Sequence, residues 1–232
     1  MFGTIINTAA IILGGSLGLL FGQALPEKMK STLIQGLGLA VLLVGGSMAL
    51  QTNNAFVVIA SLVIGGVIGE LIDIELKLKN FGNWMENKAS LGEDGHFTKA
   101  FVSASLFFCV GAMAIMGSIE SGLKGNHSIL MAKSLLDGIL AIVFASSMGI
   151  GVLASAISVF LYQGAITLAA SLLQEIISQP IITEMSATGG LLIVGIGLNI
   201  LEIKEIKVGN LLPGIFVAIP LTLLFTRLNL GG

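Results

Sequence analysis

Residues 129–172 read ILMAKSLLDGILAIVFASSMGIGVLASAISVFLYQGAITLAASL, an apolar stretch with few polar side chains. One helix needs about 20 apolar residues to cross the hydrocarbon core of a bilayer, so this stretch is long enough for two crossings. Residues 146–151, SSMGIG, lie near its middle and contain two serines and two glycines, which suit a tight turn or a re-entrant bend. Whether the chain turns there decides between eight membrane helices and seven.

The whole chain has the composition of a membrane-embedded helical bundle. Of its 232 residues, 55% are hydrophobic and 10% are charged, whereas soluble domains carry about 25% charged residues. We therefore predict an all-α membrane protein, a bundle of seven or eight transmembrane helices, in which residues 1–232 form a single polytopic domain. The remaining apolar stretches are residues 2–22, 31–50, 55–76, 97–119, 184–201 and 208–225.

The lysines favour eight helices, because loops on the cytoplasmic side of a membrane are enriched in Lys and Arg. With eight helices and the N-terminus outside, the outside loops hold only Lys124 and Arg227. With seven helices, Lys204 and Lys207 would move outside. We therefore expect a multi-pass protein of the bacterial cytoplasmic (inner) membrane with both termini outside. Its cytoplasmic loops would carry Lys28, Lys30, Lys77, Lys79, Lys88, Lys99, Lys204 and Lys207.

The longest polar segment, residues 77–98, mixes charged residues with Phe81, Trp84 and Met85. This pattern is typical of an amphipathic helix that lies in the plane of the membrane surface. We predict such a helix on the cytoplasmic side of the protein.

Glycine spacing predicts two closely packed helices. Gly14 and Gly18 in the first helix, and Gly65 and Gly69 in the third, are four residues apart, the spacing at which membrane helices approach each other closely. The same small-residue faces permit a homo-oligomer.

Residues 1–76 and 150–226 can be aligned with each other as three-helix halves. Two helices lie between them, so the halves would run in opposite directions and form an inverted repeat, as in many secondary transporters. Glycine-rich membrane sequences also give such matches by chance, so both interpretations stay open.

Polar side chains within apolar segments are the candidates for binding a solute or an ion, because burying them in a membrane is costly. Glu70 is either a cation or proton carboxylate or a solvated helix end. Lys133 and Asp137 are four residues apart, so they share a helix face and form either a structural ion pair or part of a transport site. The remaining candidates are amides that hydrogen-bond between helices by default or, for the last, cap the eighth helix: Asn7, Gln163, Asn199 and Asn210.

No sequence pattern points to catalysis, a metal, a cofactor or nucleic acid. HExxH, GxSxG, CxxC and P-loop patterns are absent, and no basic run occurs. His96 and His127 fall in opposite loops, and Cys109 is the only cysteine. We expect no enzyme activity, no cofactor and no metal site.

Four motifs carry a family resemblance: CVGAMAIMGSIESGLKG at 109–125, KSLLDG at 133–138, LYQG at 161–164 and EMSATGGLLIVGIGLNIL at 184–201. Together they resemble the YqgA/YdfK-like bacterial membrane protein family, domain of unknown function 554, over essentially the whole chain. The resemblance implies a multi-pass inner-membrane protein. The matched motifs point to Lys133, Asp137, Gln163, Glu184, Asn199 and Asn210.

Two functions remain open from the sequence. The embedded carboxylates, amides and interrupted helices favour a transporter or channel for a small ion or small organic solute. The alternative is a non-transporting membrane scaffold or regulator, in which the same polar side chains only join helices. Either way, the bilayer is the expected partner.

Overall fold

The computed structural model describes residues 1–24, 26–88, 95–110, 112–171 and 178–227, and these residues form helices and no strands. The prediction of an all-α membrane protein is therefore confirmed. The helices are α1 (Phe2–Ala24), α2 (Glu27–Ala49), α3 (Ala55–Ile72), α4 (Ile74–Lys88), α5 (His96–Cys109), α6 (Ala112–Leu123), α7 (Ser128–Met148), α8 (Gly151–Leu168), α9 (Gln179–Ile200), α10 (Val208–Leu211) and α11 (Pro213–Arg227).

Seven segments within the described residues are long and apolar enough to cross a membrane. They are α1, α2, α3, α7, α8, α9 and the continuous segment of α10 with α11. Helices α5 and α6, whose axes differ in direction by 60°, meet the same criterion when taken together as one broken span. The count is therefore seven, or eight with the broken span.

The direction of the helices shows that α5 and α6 together cross once. One cavity is lined by Gly22, in the last turn of α1, and by the last residues of α7 and α9, Met148 and Ile200, so these helices end on the same side. Helix α3 ends there too, because Glu70 bonds to Lys207 just beyond α9. Since α3 and α7 run in the same direction, the chain between them must cross once.

We call this side the lysine-rich end. It carries the loops and helix termini with Lys28, Lys77, Lys79, Lys88, Lys99, Lys204 and Lys207.

The predicted turn at residues 146–151 is present between α7 and α8. Gly149 has φ +88° and ψ −162°, a backbone conformation that glycine adopts without strain. Gly151 then begins α8 against the carbonyl oxygen of Phe97 in α5. A larger residue at Gly151 would push α8 away from α5.

Two predicted helices differ in their boundaries. The third was expected to reach residue 76, but it ends at Ile72 because Asp73 takes the left-handed conformation with φ +55°. Helix α4 therefore starts at Ile74 and covers residues 77–88 of the predicted amphipathic segment 77–98, of which residues 89–94 lie outside the described residues. The fourth, expected to be continuous over 97–119, is divided into α5 and α6.

Glycines set the parallel contacts of the bundle. Gly14 and Gly22 of α1 lie against the carbonyl oxygens of Gly138 and Ser146 of α7 in the same order, so α1 and α7 are parallel. Helix α5 runs parallel to α8 in the same way, with Ser105 bonded to Ser158. Gly18, between the two α1 glycines, meets Ile142 of α7.

Three other helix pairs are antiparallel. In α2 and α9, Gly38 lies against Leu201 and Gly45 against Gly190. In α3 and α11, Gly65 lies against Gly214, and the ring of Phe56 contacts the tilted ring of Phe225 near the far end. Gly69 meets the backbone of Asn210 in the preceding α10. In α1 and α8, Thr4 faces Thr167 and Gly15 faces Leu153.

Helix α9 forms the centre of the bundle, with 15 of its 22 residues buried. By contrast, α1, α2, α3 and α7 turn large apolar side chains outward, among them Leu13, Leu43, Val63 and Leu135, each at least 63% exposed. This outer surface suits a hydrocarbon environment.

Candidate functional site

A buried ion pair lies on α7 between the membrane helices. Lys133 Nζ is 2.6 Å from Asp137 Oδ2 and 2.9 Å from Oδ1. Asn7 of α1 donates through Nδ2 to Asp137 Oδ2 at 3.0 Å. The two residues share a face because they are one helical turn apart, and the close packing of α1 on α7 brings Asn7 to them. The buried carboxylate therefore accepts hydrogen bonds from two donors in a place that is shielded from water.

Several buried polar atoms on the helices around this pair have no hydrogen-bond partner among the described residues. They are Asn7 Oδ1, both amide atoms of Gln163 and the Oγ of Ser118, and all three side chains are fully buried. A buried polar group without a partner costs about 1–3 kcal/mol. These atoms are therefore available to a ligand that can enter.

Helix directions bring Asn7 and Gln163 to the same level. The hydroxyl oxygens of Thr4 and Thr167 are 3.4 Å apart, and α1 and α8 are antiparallel. One turn onward along α1 is Asn7, and one turn back along α8 is Gln163. These two side chains thus occupy neighbouring positions of the same interface.

Ser118 of α6 lies nearer the start of α7 than Asp137 does, because the preceding Gly117 packs on Ile129 and Leu130. Gly122 of α6 lies against the carbonyl oxygen of Thr167 of α8. We call Asn7, Lys133, Asp137 and Gln163 the polar cluster. At ~1.5 Å per residue, Asp137 lies about 14 Å from the start of α7, well inside the span.

The break between α5 and α6 lies at the same depth. Gly117 of α6 packs on Ile129 and Leu130 of the antiparallel α7, which places the end of α5 level with Asp137. Cys109, the last residue of α5, is within electrostatic range of Lys133 and Asp137. A helix that ends inside the membrane leaves its last carbonyl groups free to bind.

Glu184, in contrast, joins helices at the end opposite the lysine-rich end. Its Oε2 accepts from the hydroxyl of Thr52 at 2.5 Å, and its Oε1 accepts from the backbone N–H groups of Asn53 and Asn54 at 2.8 and 3.2 Å. Both oxygens of this buried carboxylate are used to hold the α2–α3 turn against α9.

Glu70 and Asn210 meet at the lysine-rich end. Lys207 Nζ and Asn210 Nδ2 each donate to Glu70 at 2.7 Å. Asn210 Oδ1 accepts from the backbone N–H of Glu75 at 2.7 Å. Asn210 is therefore not the predicted N-cap: it lies within α10 and ties that helix to α3 and α4.

Asn199 serves the connection after α9. Its Nδ2 donates to the carbonyl oxygen of Ile206 at 2.8 Å, and its Oδ1 accepts from the N–H of Ile206 at 2.7 Å. Both ends of the amide are used, and Asn199 is distant along the bundle from Asp137.

Two cavities open at the lysine-rich end. One, of ≈ 640 Å³, is lined by residues of α1, α2, α5, α7 and α9, including Gln35, His96 and Ser147. The other, of ≈ 510 Å³, lies between α4, α5 and the α9–α10 connection. Lys99 and Glu202, paired at 2.7 Å, line both cavities. The hydrogen bond from Lys99 lowers the pKa of Glu202.

The eight sequence-predicted site residues thus fall in separate places. Asn7, Lys133, Asp137 and Gln163 come together, whereas the other four are distributed between the two ends of the bundle. Sequence reasoning missed Ser118, Thr4 and Thr167, because a single hydroxyl in an apolar helix looks like any small packing residue. Within the described part of the chain, no group of three or more His, Cys, Asp or Glu side chains could hold a metal ion.

Comparison with known proteins gives the family. A family described as "Protein of unknown function (DUF554)" matches residues 2–223. "Uncharacterized membrane protein YdfK" of Bacillus subtilis is 36% identical, covering 94% of this chain and 93% of its own length. "Uncharacterized protein YqgA" of Escherichia coli is 33% identical, covering 97% and 98%. No solved structure matches significantly. The chain is a membrane protein that belongs to the DUF554 family.

Proposed function

We propose that this protein is a transporter or channel for a small ion or small organic solute in the bacterial cytoplasmic membrane. The observation that carries the proposal is the polar cluster. It combines a buried ion pair with two side chains, Asn7 and Gln163, that keep unpartnered polar atoms among the described residues. Ionisable groups inside a membrane are rare and by default indicate a functional site such as a solute or ion pathway.

The arrangement of the helices supports the proposal. The pairs α1/α8, α2/α9 and α3/α11 each make antiparallel contact, as the corresponding helices of an inverted repeat would. The parallel pair α1/α7 would then correspond to the parallel pair formed by α8 with α5. Transporters built this way bind solutes near the bilayer midplane, at discontinuous helices. The α5–α6 break beside Asp137 fits that plan.

The cavities support a route from the lysine-rich end, which we assign to the cytoplasm from its lysines. Ala145 lines the larger cavity, and at ~1.5 Å per residue it lies about 12 Å along α7 from Asp137. The polar cluster is therefore separated from this cavity by roughly two helical turns of packed side chains. Opening would require α1 or α8 to move relative to α7.

A scaffold without transport is the second candidate. It is favoured by Glu184, Asn199 and Asn210, each of which uses both of its polar atoms to hold connections between helices. In that case the polar cluster would only hold α1, α7 and α8 together.

Flux through proteoliposomes distinguishes the two. The purified full chain is reconstituted, and Na⁺, K⁺, H⁺ and small carboxylates are tested under imposed gradients. We expect gradient-dependent flux of at least one probe, which Asp137→Asn abolishes. The matched control is Glu120→Gln, a carboxyl-to-amide change on α6 where Glu120 bonds Asn126 near the loop. It should leave the flux unchanged. Wild-type vesicles that move none of the probes would favour the scaffold.

A further inference from the structure

We propose that Lys133 and a monovalent cation are alternative counter-ions of Asp137, so that the polar cluster exchanges one cation for one proton. This inference rests on the proposed transport function and names the ligand class of the same site.

The unpartnered atoms favour a cation over an anion. Among the described residues, Asn7 Oδ1 and Gln163 Oε1 are free acceptors beside Asp137. In the same part of the chain, Gln163 Nε2 is the one amide donor of these two side chains that has no partner. The orientation of Asn7 follows from Asp137, because its carboxylate requires the amide to donate.

These acceptors are also the right kind for a hard cation. Together with Asp137 Oδ1 and Oδ2 they are carboxylate and amide carbonyl oxygens, which alkali and other hard cations prefer to nitrogen or sulfur. The last carbonyl groups of α5 lie at the same level and belong to the same class of ligand. Half-helix C-terminal ends coordinate cations in this way in membrane transporters.

Charge balance explains why the cation would be exchanged for a proton. The polar cluster has one positive and one negative charge, and a further cation would leave one charge uncompensated in a medium of low dielectric constant. The cluster stays neutral if Lys133 loses a proton as the cation binds. The Nζ–H bond breaks, its electron pair stays on the nitrogen, the proton leaves to water, and the cation replaces the ammonium beside Asp137.

The same balance selects a monovalent cation. A divalent cation in that position would leave one net positive charge even after Lys133 is neutral. An anion would have no positive group to pair with, because Lys133 is already paired with Asp137.

The helices packed on α7 add few other titratable groups at this level. Cys109 of α5 comes within electrostatic range of the pair, and Tyr162 of α8 comes within range of Cys109. Helix α1 has no titratable side chain, α2 has charged residues only in its first turn, and α6 has Glu120 near its far end. His96 and Lys99 of α5 lie at the lysine-rich end. Lys133 is therefore the group best placed to supply the proton.

Cation-linked proton release tests the inference. The detergent-purified full chain, in weakly buffered solution with a pH indicator, is titrated with NaCl, KCl and LiCl, with choline chloride and MgCl₂ as controls. We expect about one proton released per monovalent cation bound, and none with choline or Mg²⁺. Gln163→Leu should weaken cation binding by about tenfold, as the loss of one oxygen ligand predicts.

Variants of Lys133 and Asp137 show whether the released proton comes from this ion pair. The double variant Lys133→Met/Asp137→Asn removes both charges together, which buried pairs tolerate better than the loss of one partner. It should fold and release no proton. Lys133→Arg keeps a permanent charge and should lose cation binding. Glu120→Gln should behave as wild type.

The outcomes separate this inference from the proposed function. Solute flux in vesicles without cation-linked proton release would overturn the exchange and leave transport standing. Proton release that persists in the double variant would place the exchange elsewhere and overturn the role of Lys133. Cation-linked release without flux would retain the site and overturn transport.

Discussion

The polar cluster and the lysine-rich end contain the same three kinds of side chain in the same contacts. In the first, Lys133 and Asn7 donate to Asp137; in the second, Lys207 and Asn210 donate to Glu70. Their surroundings differ. The Lys133 and Asp137 side chains are 8% and 5% exposed, whereas those of Lys207 and Glu70 are 60% and 58% exposed.

The asparagines differ as well. Asn210 uses both ends of its amide, because its Oδ1 accepts from Glu75. Asn7 Oδ1 has no partner in the described part of the chain. The comparison teaches that a solvated ion pair, whose asparagine makes hydrogen bonds through both amide atoms, only joins helices. The buried ion pair has an asparagine with a free amide oxygen, so it can exchange its counter-ion and bind the new one.

The largest expected effect is the loss of one member of the buried pair. Lys133→Ala leaves the Asp137 carboxylate without its counter-charge inside the bundle, and we expect a loss of about 3–5 kcal/mol in the free energy of unfolding. Denaturant unfolding in detergent measures it. Lys133→Met/Asp137→Asn should recover most of that loss. A Lys133→Ala protein as stable as wild type would mean that the pair is solvated.

The next largest effect is expected at the two asparagines, whose alanine variants should lose different amounts of the free energy of unfolding. Asn210→Ala leaves the buried backbone N–H of Glu75 without its acceptor, so we expect a loss of about 1–3 kcal/mol. Asn7→Ala should cost less, because one of its two polar atoms bonds nothing in the described structure. The same unfolding measurement compares them. Equal losses would contradict the view that only Asn210 is complete.

A smaller effect is expected at the exposed pair. Lys207→Ala removes an ion pair that water and salt screen, so we expect a loss of about 0–1 kcal/mol. The loss should shrink further as NaCl is raised, since salt screens exposed pairs. If Lys207→Ala lowered the free energy of unfolding as much as Lys133→Ala, burial would not explain the difference between the two ion pairs.

The smallest effect is a pH dependence from the surface carboxylates. Hydrogen bonds from Lys99 and Lys79 lower the pKa of Glu202 and of Glu205 below the ordinary 4.5. A carboxyl whose pKa is lowered by folding contributes stability above its unfolded pKa and loses it as pH falls through the folded value. We therefore expect stability to decline below about pH 4.5, and Glu202→Gln/Glu205→Gln to flatten that decline. Thermal unfolding at several pH values between about 3 and 6 measures this decline in stability.

Much of the fold was predictable from local sequence. The apolar stretches mark the membrane spans, and the serines and glycines at 146–151 mark the turn that Gly149 makes with φ +88°. The α5–α6 break was missed, because no proline or charged residue interrupts residues 100–119. Only packing against α7 and α8 reveals that this span is bent.

The candidate site was predictable in part. The spacing of Lys133 and Asp137 is enough to place them in contact, since residues four apart meet on any helix. The rule that polar residues within apolar segments are candidate site residues also selected Glu184, Asn199 and Asn210. Their hydrogen bonds to backbone groups, which no sequence pattern reports, show that they hold connections.

The sequence alone therefore determined the class of protein, the approximate spans and the Lys133–Asp137 pair, because hydrophobicity and helical periodicity are local properties. The tertiary structure decided that Asn7 and Gln163 lie beside that pair while Glu70 and Glu184 do not. Which side chains meet across helices depends on helix direction, register and crossing angle. These are set by glycine contacts such as Gly14 on Gly138, and they emerge only when the whole bundle packs.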